Sequence, residues 1–75
     1  MEKRLSEMNP RERGSITRVT GKENRRIMEM GIIRGTEIEV VRVAPLGDPV
    51  EFLLKDYNLT LRRDEAKNVY VEVEH

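Results

Sequence analysis

Ala44-Pro45-Leu46-Gly47-Asp48-Pro49 decides how this chain folds, because it separates two runs that alternate like β-strands, Glu37 to Val43 and Val50 to Leu54. Proline has no N–H to give a strand ladder, and glycine and aspartate favour turns, so the hexapeptide ends one strand before the next begins. In the first run Ile38 and Val40 fall on one side, with Glu37, Glu39 and Val41 on the other. In the second, Val50, Phe52 and Leu54 form the matching inward set. A period of two predicts half-buried antiparallel strands facing a single interior. Leu46 is the apolar residue in the middle of this stiff, polar connection. The loop reads as one built to present a leucine.

Outward from that hairpin, the pattern continues in both directions. Gly14-Ser15-Ile16-Thr17-Arg18-Val19 is rich in β-branched residues and stops at Thr20-Gly21, which predicts an earlier strand. Asn24 to Met30 lacks strand character and is followed by Gly31 where a helix C-terminal cap would stand. This predicts a helix of about two turns, with Ile27 and Met30 on one face, too short to be stable without docking on the sheet. Gly35 marks a turn back into the sheet. Beyond Leu54, the expectation is a turn over Lys55-Asp56-Tyr57-Asn58, a short strand from Leu59 to Arg62, one helical turn within 63–68 and a last strand from Val69 to Val73. Residues 1–13, with Pro10 near their end, read as an irregular lead-in.

Five short strands and one brief helix in 75 residues suit a single domain over 1–75. A chain of this size buries only roughly 60% of its unfolded-state surface, so the strands must share one compact core. A small barrel achieves this and limits exposed edges. The expected fold is therefore mostly β, an SH3-like barrel of antiparallel strands, with a partly open OB-type barrel as the alternative.

Composition narrows the function classes. Fourteen basic residues balance fourteen acidic ones, so the total charge offers none of the basic excess that phosphate backbones select. The aromatics are Phe52, Tyr57 and Tyr70, a poor supply of stacking platforms for single-stranded nucleic acid. Cysteine is absent, which leaves no disulfide and no thiolate ligand. Met1-Glu2-Lys3-Arg4 leads into polar residues, with neither a signal-peptide core nor a membrane span behind it, so a cytoplasmic location is expected.

Catalytic constellations are missing from the residue inventory. His75 is the one histidine, and no Ser–His or Cys–His nucleophile system can be assembled. The glycines are scattered as turn and cap residues, with no phosphate-binding G-x-x-x-x-G-K-[ST] motif. The expectation is a protein that is not an enzyme. Asp48, Glu51, Asp64 and Glu65 are the candidate carboxylates for a divalent ion such as Fe(II), a weak ligand set beside the bland reading of solvated charges. No metal-site residues and no firm cofactor are assigned. Arg25-Arg26 and Arg62-Arg63 each stand among acidic residues (Glu23, Glu29, Asp64, Glu65) and read as a salt-bridged surface more readily than as an RNA footprint. Leu46, Met28, Ile33 and Tyr57 are apolar positions that the strand pattern does not bury. Single exposed apolar residues are ordinary, whereas a rigid proline loop and an adaptable methionine also suit a protein contact.

Taken together, the segments resemble the FeoA family. The match runs through Leu5-Ser6-Glu7-Met8, Gly14-Ser15-Ile16, Arg25-Arg26-Ile27-Met28-Glu29-Met30-Gly31-Ile32 and Gly35-Thr36-Glu37-Ile38-Glu39-Val40. It continues through the Ala44–Pro49 hexapeptide and Leu61-Arg62-Arg63-Asp64-Glu65-Ala66 into the last strand. Two positions depart from the family pattern: Arg11 stands where glycine usually follows the proline, and Arg34 where proline often precedes Gly35-Thr36. The resemblance implies an SH3-like barrel and a small cytoplasmic accessory protein of bacterial ferrous iron uptake. The implied partner is FeoB, a membrane transporter with a cytoplasmic GTPase domain, whose cycle the protein would modulate. Similar barrels close metal-dependent repressors behind a winged helix, which this sequence lacks. The expected partner-binding residues are Pro45, Leu46, Pro49, Met28, Arg62 and Arg63. A transition-metal sensor or carrier and a nucleic-acid-binding barrel are the alternatives, and a homo-oligomer is left open.

Overall fold

The computed structural model describes residues 1–74; His75 lies outside them. Six antiparallel strands form one sheet: β1 (Glu2–Arg4), β2 (Arg13–Val19), β3 (Glu37–Val43), β4 (Val50–Leu54), β5 (Tyr57–Leu61) and β6 (Val69–Val73). Their spatial order is β1-β6-β2-β3-β4-β5. Two short helices accompany them, α1 (Asn24–Glu29) and α2 (Arg63–Ala66), with a 3-10 turn at Leu5–Glu7. The sheet is not closed by a ladder, since β1 and β5 stand at its two ends. The 3-10 turn that follows β1 packs on α2, which follows β5, so these two pieces span the opening.

The inward residues are those the alternation selects. Ile38, Val40, Val50, Phe52 and Leu54 are buried, together with Ile16, Ile27, Ile32, Leu61, Val69 and Val71. Two bulges explain where simple alternation fails. In β2 the register against β6 shifts between Ile16 and Arg18, and in β3 the register against β4 shifts between Val40 and Arg42. Each extra residue re-aims the strand beyond it. Arg18 and Arg42, inward by parity, therefore point to solvent, while Val19 and Val43 pack against the core. The same bulges bend the two strands around the interior.

The helix and the late strands follow expectation with adjusted bounds. Gly31 takes φ +96 just past α1, a left-handed cap that a side chain disfavours. Ile27 is buried in the face that docks on the barrel. The turn after Leu54 is shorter than expected, because only Lys55 and Asp56 form it. Tyr57 and Asn58 already belong to β5, paired with Leu54 and Leu53.

Residues 1–13 are not an irregular lead-in. Glu2–Arg4 pairs with Tyr70–Glu72, and the 3-10 turn buries Leu5, with Met8 following it into the core. The three charges of β1 hid the strand, and Leu5 and Met8 are too few to show a period. Pro10-Arg11 then turns the chain. Arg11 holds φ +75, with its N–H donating to Val40 O at 2.8 Å. The arginine that departs from the family pattern thus occupies a left-handed position that suits glycine.

Candidate functional site

The Ala44–Pro49 loop closes the β3–β4 hairpin, with Val43 opposite Val50. Ala44 N donates to Pro49 O at 3.0 Å and Gly47 N to Ala44 O at 2.7 Å. Gly47 has φ +92 and the Asp48–Pro49 peptide is cis. At its tip Leu46 is 97% exposed, against 39% for Met28, 40% for Tyr57 and 49% for Ile33. The loop holds Leu46 in water without any apolar neighbour to shelter it.

Arg63 fastens this loop to the rest of the molecule. Its backbone N–H, the first of α2, donates to Asp48 Oδ1 at 3.0 Å. Its side chain donates from Nε to Gly47 O at 2.5 Å and from Nη1 to Ser6 O at 2.6 Å. The planar guanidinium thereby bridges two carbonyls, one in the presenting loop and one in the 3-10 turn, which a lysine's single ammonium would serve poorly. Asp48 in turn supplies a carboxylate to an orphan donor at the start of a helical turn. Two prolines fix φ within the loop, Gly47 permits its left-handed turn, and Arg63 ties it down with two hydrogen bonds.

Five of the six expected partner-binding residues gather here. Pro45, Leu46 and Pro49 are in the loop, Arg63 is beneath it, and Arg62 shares a recess of about 210 Å3 with Asp48 and Pro49. Arg63 is half-buried and held by its own bonds, while Pro45, Leu46, Pro49 and Arg62 are exposed. Met28 is exposed on α1, which joins this end of the barrel through a contact between Arg26 and Glu65 of α2. Tyr57, the exposed large apolar residue of β5, lies at the opposite end of β4, where its hydroxyl donates to Met30 O at 2.6 Å.

Glu65 organises the α1–α2 contact. One carboxylate oxygen accepts from Arg62 N at 3.0 Å, the reach-back typical of a helix third position, and the other accepts from Arg26 Nη2. The hydrogen bond from Arg26, followed by that from the Arg62 backbone, holds the Glu65 carboxyl below its ordinary value. The same hydrogen bond raises Arg26. The expected salt-bridged surface holds for the first basic pair, where Arg26 also meets Glu23 at 3.5 Å, whereas in the second pair the Arg63 guanidinium goes to two backbone carbonyls instead.

The candidate metal-binding carboxylates do not converge. Asp48 is occupied with Arg63 N, and Glu51 pairs with Arg42 Nε at 2.9 Å and accepts from Asn58 at 2.7 Å. Among the described residues no three Asp, Glu, His or Cys side chains stand close enough together to hold an ion. A wider hollow of about 550 Å3 opens at the far end of the sheet, lined by Arg13, Arg34, Glu37, Glu39, Leu53 and Lys55 among others. Its walls mix both charges and carry no nucleophile–base pair. Sequence reasoning passed over this hollow, because its walls come from three separate strands and two turns.

A single bulged sheet around one core, with an arginine-pinned loop between β3 and β4, defines a small SH3-like barrel domain. A family model described as the FeoA domain matches residues 3–73, and the chain belongs to that family. A relative from Porphyromonas gingivalis, a fusion of Fe(2+) transport protein A with the Fe(2+) transporter FeoB, is 44% identical over 72 residues. That match covers 93% of this chain, which spans only 8% of the relative. The solution structure of a FeoA-like protein from Clostridium acetobutylicum is 43% identical with a TM-score of 0.86, covering 95% of this chain and 87% of that one. The crystal structure of Stenotrophomonas maltophilia FeoA complexed with zinc, called a prokaryotic SH3 domain protein, is 28% identical with a TM-score of 0.79. There the coverage is 96% of this chain and 89% of that one.

Proposed function

We propose that this chain is a non-enzymatic accessory module of ferrous iron uptake that docks on the cytoplasmic side of a FeoB-type transporter and modulates its cycle. The observation that carries the proposal is Leu46, 97% exposed at the tip of a loop that Arg63 and Asp48 hold in place. Exposing a leucine fully while two hydrogen bonds from Arg63 fasten the loop beneath it makes sense when a partner supplies the missing apolar wall. Pre-ordering also removes the entropy that a flexible loop would lose on binding. The fusion of a FeoA protein to FeoB in the P. gingivalis relative supports the choice of partner, since joined chains act at high mutual concentration. Pro45, Pro49 and Arg62 flank Leu46 as the rim of the contact, and Arg63 serves as its support. Purified FeoB-type transporter immobilised on resin is expected to retain this chain; no retention in either nucleotide state would refute the reading.

A second reading, a metal-binding sensor or carrier, draws support from the zinc complex of the S. maltophilia relative. Anaerobic calorimetry with Fe(II) separates the two, because sub-micromolar binding would place metal sensing ahead of docking.

A further inference from the structure

The two edges of the sheet are finished in opposite ways. Edge β1 is Glu2-Lys3-Arg4, charged at every position, the usual means of discouraging unwanted strand pairing. Edge β5 is Tyr57-Asn58-Leu59-Thr60-Leu61, the one strand of the six without a charged residue, in a chain that is 37% charged. It carries no proline, and no bulge interrupts its register with β4.

The two-residue turn fixes which backbone groups this edge offers. Leu54 and Tyr57 flank the turn and are opposite each other, so they, Phe52–Leu59 and Val50–Leu61 are the pairs that exchange hydrogen bonds. Asn58 and Thr60 therefore turn their N–H and C=O groups away from β4. Both residues are exposed, and among the described residues no hydrogen bond reaches those outward groups.

We infer that β5 is a self-association edge, on which a second copy of this chain pairs its own β5 antiparallel about a two-fold axis at Leu59. The choice of occupant rests on charge complementarity. In that register Asn58 faces Thr60 of the other copy, so outward-turned groups meet outward-turned groups. Tyr57 faces Leu61, and Leu59 meets its own symmetry mate on the core side of the sheet. Immediately beyond the strand, Asp56 of each copy comes opposite Arg62 of the other, giving two opposite-charge pairs by symmetry. Lys55 would come opposite position 63, but the Arg63 guanidinium is turned inward onto Gly47 O and Ser6 O. The same pairing with β1 would be dominated by its charges. An isologous contact of this kind is self-limiting, because it uses up the edge that makes it.

Sedimentation of the full chain, at concentrations up to about 1 mM, tests this. The wild type is expected to move from 8.8 kDa toward twice that mass as concentration rises. Thr60→Pro removes an outward N–H that β4 does not use and is expected to stay monomeric. Arg62→Asp sets like charges opposite Asp56 in both symmetry-related pairs and is expected to weaken association at least about fivefold, the scale of exposed charge pairs. The double variant Asp56→Arg with Arg62→Asp is expected to restore it. A wild type monomeric throughout would overturn the inference, as would equal dimerisation of Thr60→Pro or failure of the charge swap to recover pairing. Should Thr60→Pro not fold, the charge variants, both at exposed positions, still decide the matter.

Discussion

Two arginines carry much of the local physics, and each makes a separate prediction. Arg11 sits at φ +75, a conformation costing an L-residue on the order of 1 kcal/mol. Glycine adopts it freely but loses more backbone entropy on folding, so the two terms oppose each other. Because Arg11 is exposed and its contribution to the turn is its backbone N–H to Val40 O, strain relief is expected to win. Arg11→Gly is predicted to stabilise the protein by roughly 0.5–1 kcal/mol in urea denaturation; a loss of stability would contradict the strain assigned to this turn. Arg63 acts in the other direction. Arg63→Ala strips Gly47 O and Ser6 O of a charged donor and is predicted to cost about 1–3 kcal/mol, with faster amide exchange at Gly47. Arg63→Lys should recover only part of that loss, since one ammonium cannot replace a fork.

At the scale of elements, the strands were readable from the sequence and their supports were not. The alternation of Val50, Phe52 and Leu54 shows plainly in a list of residues because side-chain direction repeats every second position. Arg63 joins carbonyls 16 and 57 residues away, and nothing in the local sequence marks such a bond. The bulges at Thr17 and Val41 were hidden for a related reason, since a shift of register belongs to a pair of strands. Short β1 escaped notice because three charged residues carry no apolar period. The α1–α2 contact, likewise distant in sequence, gives this scale its own prediction. Glu65 titrates below its ordinary value in the folded protein, so its contribution is present above the unfolded value and is lost as pH falls through the folded one. Thermal melts from neutral pH downward should therefore show stability falling in the acid range. In Glu65→Gln that fall should be shallower, since the amide still accepts from Arg62 N but no longer titrates. Identical pH profiles would remove Glu65 from the account of how α1 is held.

For the whole molecule, the division of labour follows from size. A chain of 75 residues spends its apolar residues on one core, leaving little from which to build a cleft. The docking proposal accordingly rests on what the barrel displays. The exposed leucine was legible in the sequence as an apolar residue inside a proline-rich turn. Its near-complete exposure, and its separation from Tyr57 and Ile33 at the far end of the barrel, needed the structure. Because Leu46 touches no core residue, replacing it should leave folding within about 0.5 kcal/mol of wild type. The measurement that bears most directly on the docking proposal is the affinity of purified FeoB-type transporter for the wild type and for Leu46→Asp, with both shown to be equally folded. The account predicts a loss of at least about tenfold for Leu46→Asp, or roughly 1.4 kcal/mol of binding free energy. Equal affinities would contradict it.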